Sequence, residues 1–110
     1  LTPCGFFDGR TVGNFHTVNA KSLHGLYDLA GNVSEWCLDS YRKDLLNWVF
    51  LEKQLNSPYF YDPDNPFACV RGGSWLSPIE EIRTTNRSDF PRNTHCNFIG
   101  FRFVYVPADF

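Results

Sequence analysis

Four cysteines, three histidines and a few close carboxylates are the residues whose chemistry could matter most. Cys4, Cys37, Cys69 and Cys96 contain no CxxC pair and no zinc-ligand spacing. Their even number permits two disulfides, but the wide spacing requires none, so they are expected to be free and mostly buried thiols. His16, His24 and His95 are isolated in the sequence and are assigned no metal. Asp39 with Asp44, and Glu80 with Glu81, are close enough to be imagined as acid/base pairs. Nothing near them suggests burial, and solvated carboxylates are the expected reading. Gly72-Gly73 has neither P-loop spacing nor a following Lys, so the pair reads as a place where backbone turns or packs closely. Arg71 and Arg102 read as structural guanidiniums that tie strands to loop carbonyls or carboxylates.

The elements that must hold these residues are irregular. Leu1 to Lys21 reads as loop with short extended pieces and a turn at Asp8-Gly9. Tyr41 to Leu55 carries apolar residues at Leu45, Leu46, Val49, Phe50 and Leu55 with charges between, the pattern of a helix with one apolar face. Asn56 to Pro66, with three prolines, is a loop. Ala68 to Leu76 reads as a strand interrupted by the glycines. Glu80 to Arg87 is ambiguous, and Asp89 to Asn97 reads as loop. Phe98 to Val106 is the expected final strand. No repeat and no low-complexity tract breaks the chain, so residues 1–110 are expected to form one α+β domain with short antiparallel strands and few helices. Trp36, Trp48 and Trp75 are expected in its core.

Composition narrows the function. The 110 residues are 43% hydrophobic and 17% aromatic, which excludes a disordered chain. A net charge of -2 gives no support to a nucleic-acid partner. No apolar run approaches the roughly 20 residues of a membrane span, and no signal peptide is present, so membrane insertion is not expected. The chain starts at Leu1 and contains no Met. It is therefore expected to be a fragment, a processed product or a chain lacking its first residues. No compartment is assigned.

Three segments carry a family resemblance. They are Gly25-Leu26-Tyr27-Asp28-Leu29-Ala30-Gly31-Asn32-Val33-Ser34-Glu35-Trp36, then Val70-Arg71-Gly72-Gly73-Ser74-Trp75, then Ile99-Gly100-Phe101-Arg102. In this order they resemble the C-terminal half of the formylglycine-generating-enzyme, or sulfatase-modifying-factor, superfamily, over about Thr2 to Val104. The resemblance implies a minimal C-type-lectin-like fold. Two departures stand out. Nothing here matches the PTEAEWEYA-like segment of the family's N-terminal half. Enzymatic members also carry a copper-binding cysteine pair after the RGGS element, at offsets that fall here on Ser77 and Ile82, and no cysteine lies between Cys69 and Cys96. A soft thiolate pair is what copper(I) needs. No catalytic residues and no copper are therefore expected.

The resemblance further implies a structural calcium site, with a side-chain oxygen from Asp28, backbone carbonyls from Gly31 and Val33, and a carboxylate from Glu35. The same stretch is also readable as a plain turn, in which Gly31-Asn32 bends the chain and Asp28 caps N–H groups. The sugar-binding triplets of calcium-dependent lectins are absent.

Leu76 to Phe98, between the second and third segments, resembles the variable region of diversity-generating-retroelement proteins. Their template mechanism yields Asn, Tyr, Asp, His, Ser, Thr, Phe, Ile, Cys and small residues, but never Lys, Gln, Glu, Met or Trp. Ser77, Ile79, Thr84, Thr85, Asn86, Ser88, Asp89, Phe90, Thr94, His95, Cys96, Asn97 and Phe98 all obey this rule, and Glu80 and Glu81 do not. The leading expectation is a non-catalytic domain that binds a macromolecule, a protein, through these side chains, on a frame of Arg71, the glycines, Trp75 and Arg102. The alternative is an ordinary accessory or adaptor domain of a larger protein. A formylglycine-generating oxidase comes last.

Overall fold

The computed structural model describes residues 1–51, 60–105 and 107–108. A hairpin opens the chain. Strands β1 (Thr11–Val12) and β2 (Phe15–His16) pair antiparallel around Gly13 and Asn14, with Gly13 at φ +59. A glycine at positive φ in the first position of a two-residue turn is what a tight hairpin favours. The turn signal at Asp8-Gly9 falls on a separate bend, where Gly9 lies at φ +88 and Asp8 makes an isolated bridge to Asn19; the hairpin turn at Gly13 is an addition to it. Thr17, fully buried, holds this unit together by donating its hydroxyl to the Arg10 carbonyl and accepting from the Gly9 N–H.

The main sheet has four strands, β3 (Ser34–Ser40), β4 (Phe67–Arg71), β5 (Ser88–Pro91) and β6 (Ile99–Gly100), in the order β5-β4-β3-β6. β4 runs antiparallel to β3 and to β5, and the β3–β4 register shifts between Trp36 and Ser40. β6 lies parallel to β3, which departs from the all-antiparallel expectation. The expected strand through Val106 shrinks to two residues. Beyond Gly100 the chain leaves β3 so that Arg102 can reach the carbonyls of Tyr27 and Asp28. Val106 lies outside the described residues.

Among the described residues one α-helix, α1 (Leu45–Leu51), buries Leu45 and Val49, four residues apart on one face. The expected start at Tyr41 is early by about one turn, since the helix begins at Leu45. Arg42 and Asp44 are tied together by side chains, and the Trp48 N–H donates to the Asp44 carbonyl. The expected end at Leu55, and the loop up to Tyr59, lie outside the described residues. The stretch expected as loop from Asp89 opens instead in β5, because Asp89 pairs with Cys69 and Phe90 with Ala68.

Leu45, Val49, Ala68, Cys69 and Val70 form the buried apolar core. Trp36 and Trp48 are half-buried, but Trp75 is exposed, which corrects the expectation that all three tryptophans sit in the core. Of the four free cysteines only Cys69 is buried; Cys4 is exposed and Cys37 and Cys96 are half-buried. The architecture is thus irregular α+β, with long loops held by side-chain hydrogen bonds.

Candidate functional site

The three sequence segments converge on one another. β4 ends at Gly72 and Gly73, both at positive φ (+89 and +67). A Cβ on Gly72 would stand 3.0 Å from the Leu29 carbonyl oxygen, so only glycine fits this close approach. The Gly72 carbonyl accepts from the Gly31 N–H at 2.8 Å, and the Trp75 N–H donates to the Asn32 carbonyl at 2.9 Å. Ser34 and Glu35 pair with Ile99 and Gly100. Arg102 then locks the assembly. Its Nε and Nη2 donate to the two carboxylate oxygens of Glu35, Nη1 to the Tyr27 carbonyl and Nη2 to the Asp28 carbonyl. The Glu35 carboxylate holds the Arg102 guanidinium above its ordinary pKa. The structural reading of Arg102 is borne out, and so is that of Arg71, whose Nη2 donates to the Thr84 carbonyl.

Asp28, Gly31, Val33 and Glu35 all line one cavity of about 380 Å³, together with Arg102. Asp28 and Asn32 sit at positive φ (56 and 61), so the loop is held in a conformation that non-glycine residues adopt at a cost. The Asp28 carboxylate accepts from the Gly5 N–H at 2.6 Å. Asn32 pairs with the backbone of Thr2, donating through Nδ2 and accepting through Oδ1. These are hard oxygen donors of the kind calcium takes. Among the described residues no three His, Cys, Asp or Glu side chains gather as metal ligands. An ion here would rest on two carboxylates and two carbonyls, and would compete with Arg102 for Glu35.

The candidate ligand-binding residues separate. Ser77, Asn86, Ser88, Phe90 and Phe98 line a cavity of about 270 Å³ beside β4 and β5. Within it the Phe90 and Phe98 rings lie 5.9 Å apart and Asn86 donates to the Ser88 hydroxyl. The Ser77 hydroxyl accepts from the Ser74 N–H, a turn bond. Thr84 faces a different cleft, shared with Asn86. Ile79 opens the short 3-10 helix Ile79–Glu81 and is exposed. Asp89, His95 and Asn97 are exposed and Thr94 is half-buried in the turn closed by its N–H to the Pro91 carbonyl. These last five line none of the cavities described here.

Two features escaped sequence reasoning. The first is Ser40, fully buried, whose hydroxyl donates to the Asp62 carbonyl and accepts from the Asp62 N–H and from Arg92 Nη2. No local signal marks a serine at the end of a strand as a hub. The second is the pair Cys37 and Cys69 on adjacent strands. The Cys69 thiol donates to the Val70 carbonyl at 3.7 Å. Its closeness to Cys37, with help from Arg71 and Arg87, holds the Cys37 thiol down at about 7, while Cys69 itself is pushed well up. Their cross-strand match could have been found only with the β3–β4 register known.

With this geometry in place, comparison with known proteins is decisive on family. The "Sulfatase-modifying factor enzyme 1-like domain" matches residues 5–106. The chain belongs to the sulfatase-modifying-factor family. Relatives carry the domain inside much longer chains. A serine/threonine-protein kinase pkn1 of Chlamydia pneumoniae is 33% identical over 96 residues, covering 77% of this chain and 14% of the kinase. Pkn1 of Chlamydia trachomatis is 39% identical over 67 residues, 61% of this chain and 10% of that protein. A pkn1 of Chlamydia caviae is 29% identical over 96 residues, again 14% of its length. This sulfatase-modifying-factor chain therefore spans about a seventh, or less, of the relatives it matches.

Proposed function

We propose that this chain is a non-catalytic accessory domain of a larger protein, whose surface recognises a protein partner. One observation carries the accessory reading. The chain exposes 8647 Å², about 2,400 Å² more than a self-contained folded protein of 12.7 kDa. That excess is the size of a substantial protein interface. Large apolar side chains stand exposed on it, among them Leu38, Leu46, Phe50, Phe103 and Val104. Such surface in water is unfavourable and calls for a cover. Polypeptide outside these 110 residues is the cover we assign, in keeping with relatives in which the domain is a small part of a long chain.

Support for a non-catalytic role comes from Ser77 and Ile82 standing where the enzymatic cysteines are expected. Ser77 is tied into a turn by the Ser74 N–H, and Ile82 packs near Gly73. The partner surface is the 77–98 segment, with the Phe90–Phe98 cavity as its apolar centre and His95 and Asn97 at its exposed end. Its diversification draws no support from the kinase relatives and is not needed for this reading. Calcium at Asp28, Gly31, Val33 and Glu35 belongs to the same proposal as a structural ion.

The test compares the 110-residue chain alone with the same stretch inside its full-length protein. Alone, it should self-associate at micromolar concentration and bind an apolar dye; in the full-length protein both should vanish. A monomeric, dye-silent isolated chain would sink the accessory reading. Tight copper(I) binding with oxidation of a peptide cysteine would sink the non-catalytic one.

A further inference from the structure

Half of the chain's basic residues converge on one cleft. Of ten Lys and Arg, five line a cleft of about 650 Å³ between β3, the start of α1 and the 83–87 loop: Arg42, Lys43, Arg71, Arg83 and Arg87. Asp39 is the one acid among its lining residues. Arg42 is neutralised by Asp44. Four cations then face one carboxylate, in a chain whose net charge is -2. Cations gathered in a concave site raise the local concentration of anions.

Arg87 supplies the second observation. Its Nε and Nη2 are buried and have no hydrogen-bond partner among the described residues. Asp39 Oδ1 stands 3.7 Å from Nη2, beyond hydrogen-bond reach. Nε and Nη2 are the two donors of one guanidinium edge, the fork that a carboxylate or phosphate fills with two parallel bonds. Asp39 gives this edge an ion pair but no hydrogen bond, and leaving buried donors without one is costly, so the edge favours a closer acceptor than Asp39. The other cations are differently placed. Arg71 and Arg83 each spend one donor on a backbone carbonyl, of Thr84 and Glu80, and keep others.

We infer that this cleft binds a phosphate monoester, with Arg87 as the two-pronged anchor and Lys43, Arg71 and Arg83 supplying charge around it. A dianion suits the surplus of cations better than a single carboxylate does. The site goes beyond the accessory-domain reading and stands or falls separately from it. Its ligand is either a free phosphate compound or a phosphorylated side chain of a partner.

Cys37 lines the same cleft and reports on it. Arg71 and Arg87 help to keep its thiol acidic, so an anion seated between them withdraws that support. The experiment follows alkylation of Cys37 by peptide mass spectrometry in the full-length protein at pH 7. Inorganic phosphate and a phosphoserine peptide are compared, with ionic strength held constant by chloride. A rise of one pKa unit would slow alkylation roughly fivefold. That slowing is expected in the wild type and in Lys21→Gln, and should be lost in Arg87→Gln. Arg83 is exposed, so Arg83→Gln should weaken protection without harming the fold and decides the matter if Arg87→Gln does not fold. Protection by the peptide at far lower concentration than phosphate identifies a phosphorylated partner; equal potency identifies a small phosphate compound. No slowing by either probe, or slowing that survives both substitutions, overturns the site.

Discussion

The guanidinium edge of Arg102 lies against the carboxylate of Glu35, Nε to Oε2 and Nη2 to Oε1, and the same guanidinium caps the carbonyls of Tyr27 and Asp28. A single side chain near the end of the chain thereby fixes the loop that opens the first motif and the strand that closes it. Both partners are mostly shielded, so the interaction is worth more than a surface pair. Arg102→Gln should destabilise the protein by about 2 kcal/mol, since Glu35 keeps its charge and loses its donors. Arg102→Lys should recover less than half of that, because an ammonium cannot reproduce the fork. Urea unfolding of the three proteins checks the ranking; equal midpoints would refute it.

A calcium ion bound as proposed would have to compete with Arg102 for Glu35. Millimolar calcium should therefore raise the melting temperature more in Arg102→Ala than in the wild type, and chelator should reverse the gain. Equal responses in the two proteins would remove the competition, and no response in either would remove calcium from the loop.

The two glycines that join the first and second motifs differ in what surrounds them. Gly72, at φ +89, has no room for a Cβ against the Leu29 carbonyl, whereas Gly31, at φ +77, has nothing within 4 Å. Gly31→Ala should cost about 1 kcal/mol, the price of the left-handed backbone alone. Gly72→Ala carries that strain plus the clash and should cost about 2–3 kcal/mol. Denaturant midpoints measured side by side test this, and a reversed order would mean that the Gly72–Leu29 approach relaxes easily.

The Cys37 and Cys69 thiols make stability depend on pH with a definite sign. Cys37 is depressed from 9.0 to about 7 in the folded state, so between those values the unfolded chain holds more protons and stability rises with pH. The gain is lost as pH falls through about 7. Cys69 is raised, so above the ordinary thiol range the folded state holds the extra proton and stability turns down again. Melting temperature should therefore climb from pH 6 to 9 and then fall. Cys37→Ser should flatten the climb. A wild-type curve with no such rise would contradict the coupled pair.

Legibility followed locality. Asp28 to Glu35, Arg71 to Trp75 and Ile99 to Arg102 were readable because each is a continuous run whose glycines and charges announce a turn or a strand. Their mutual contacts agree with that reading, down to the structural roles of Arg71 and Arg102. What could not be read depends on distance in sequence. Ser40 is a hub only because Asp62 and Arg92 come to it. The basic cleft draws its cations from three separate stretches, so composition shows no trace of it. Asp89 looked like loop because its charge hides a pairing with Cys69 that only β4 can supply. Trp75 looked like core because a tryptophan usually is, yet its backbone is engaged by Asn32 while its ring is left outside.

The parallel seating of β6 beside β3 has a consequence for the order of events at the ribosome. Ser34 and Glu35 are made before their partners Ile99 and Gly100, and the Arg102 that seals Glu35, emerge, and more than half of these 110 residues separate the two. Until then one edge of β3 is bare, with its N–H and C=O groups open to any extended strand that drifts by. Closing so long a loop carries an entropy cost, and on the ribosome it cannot precede the release of Arg102. Between the making of Glu35 and the release of Arg102, that edge of β3 has no strand of this domain to cover it.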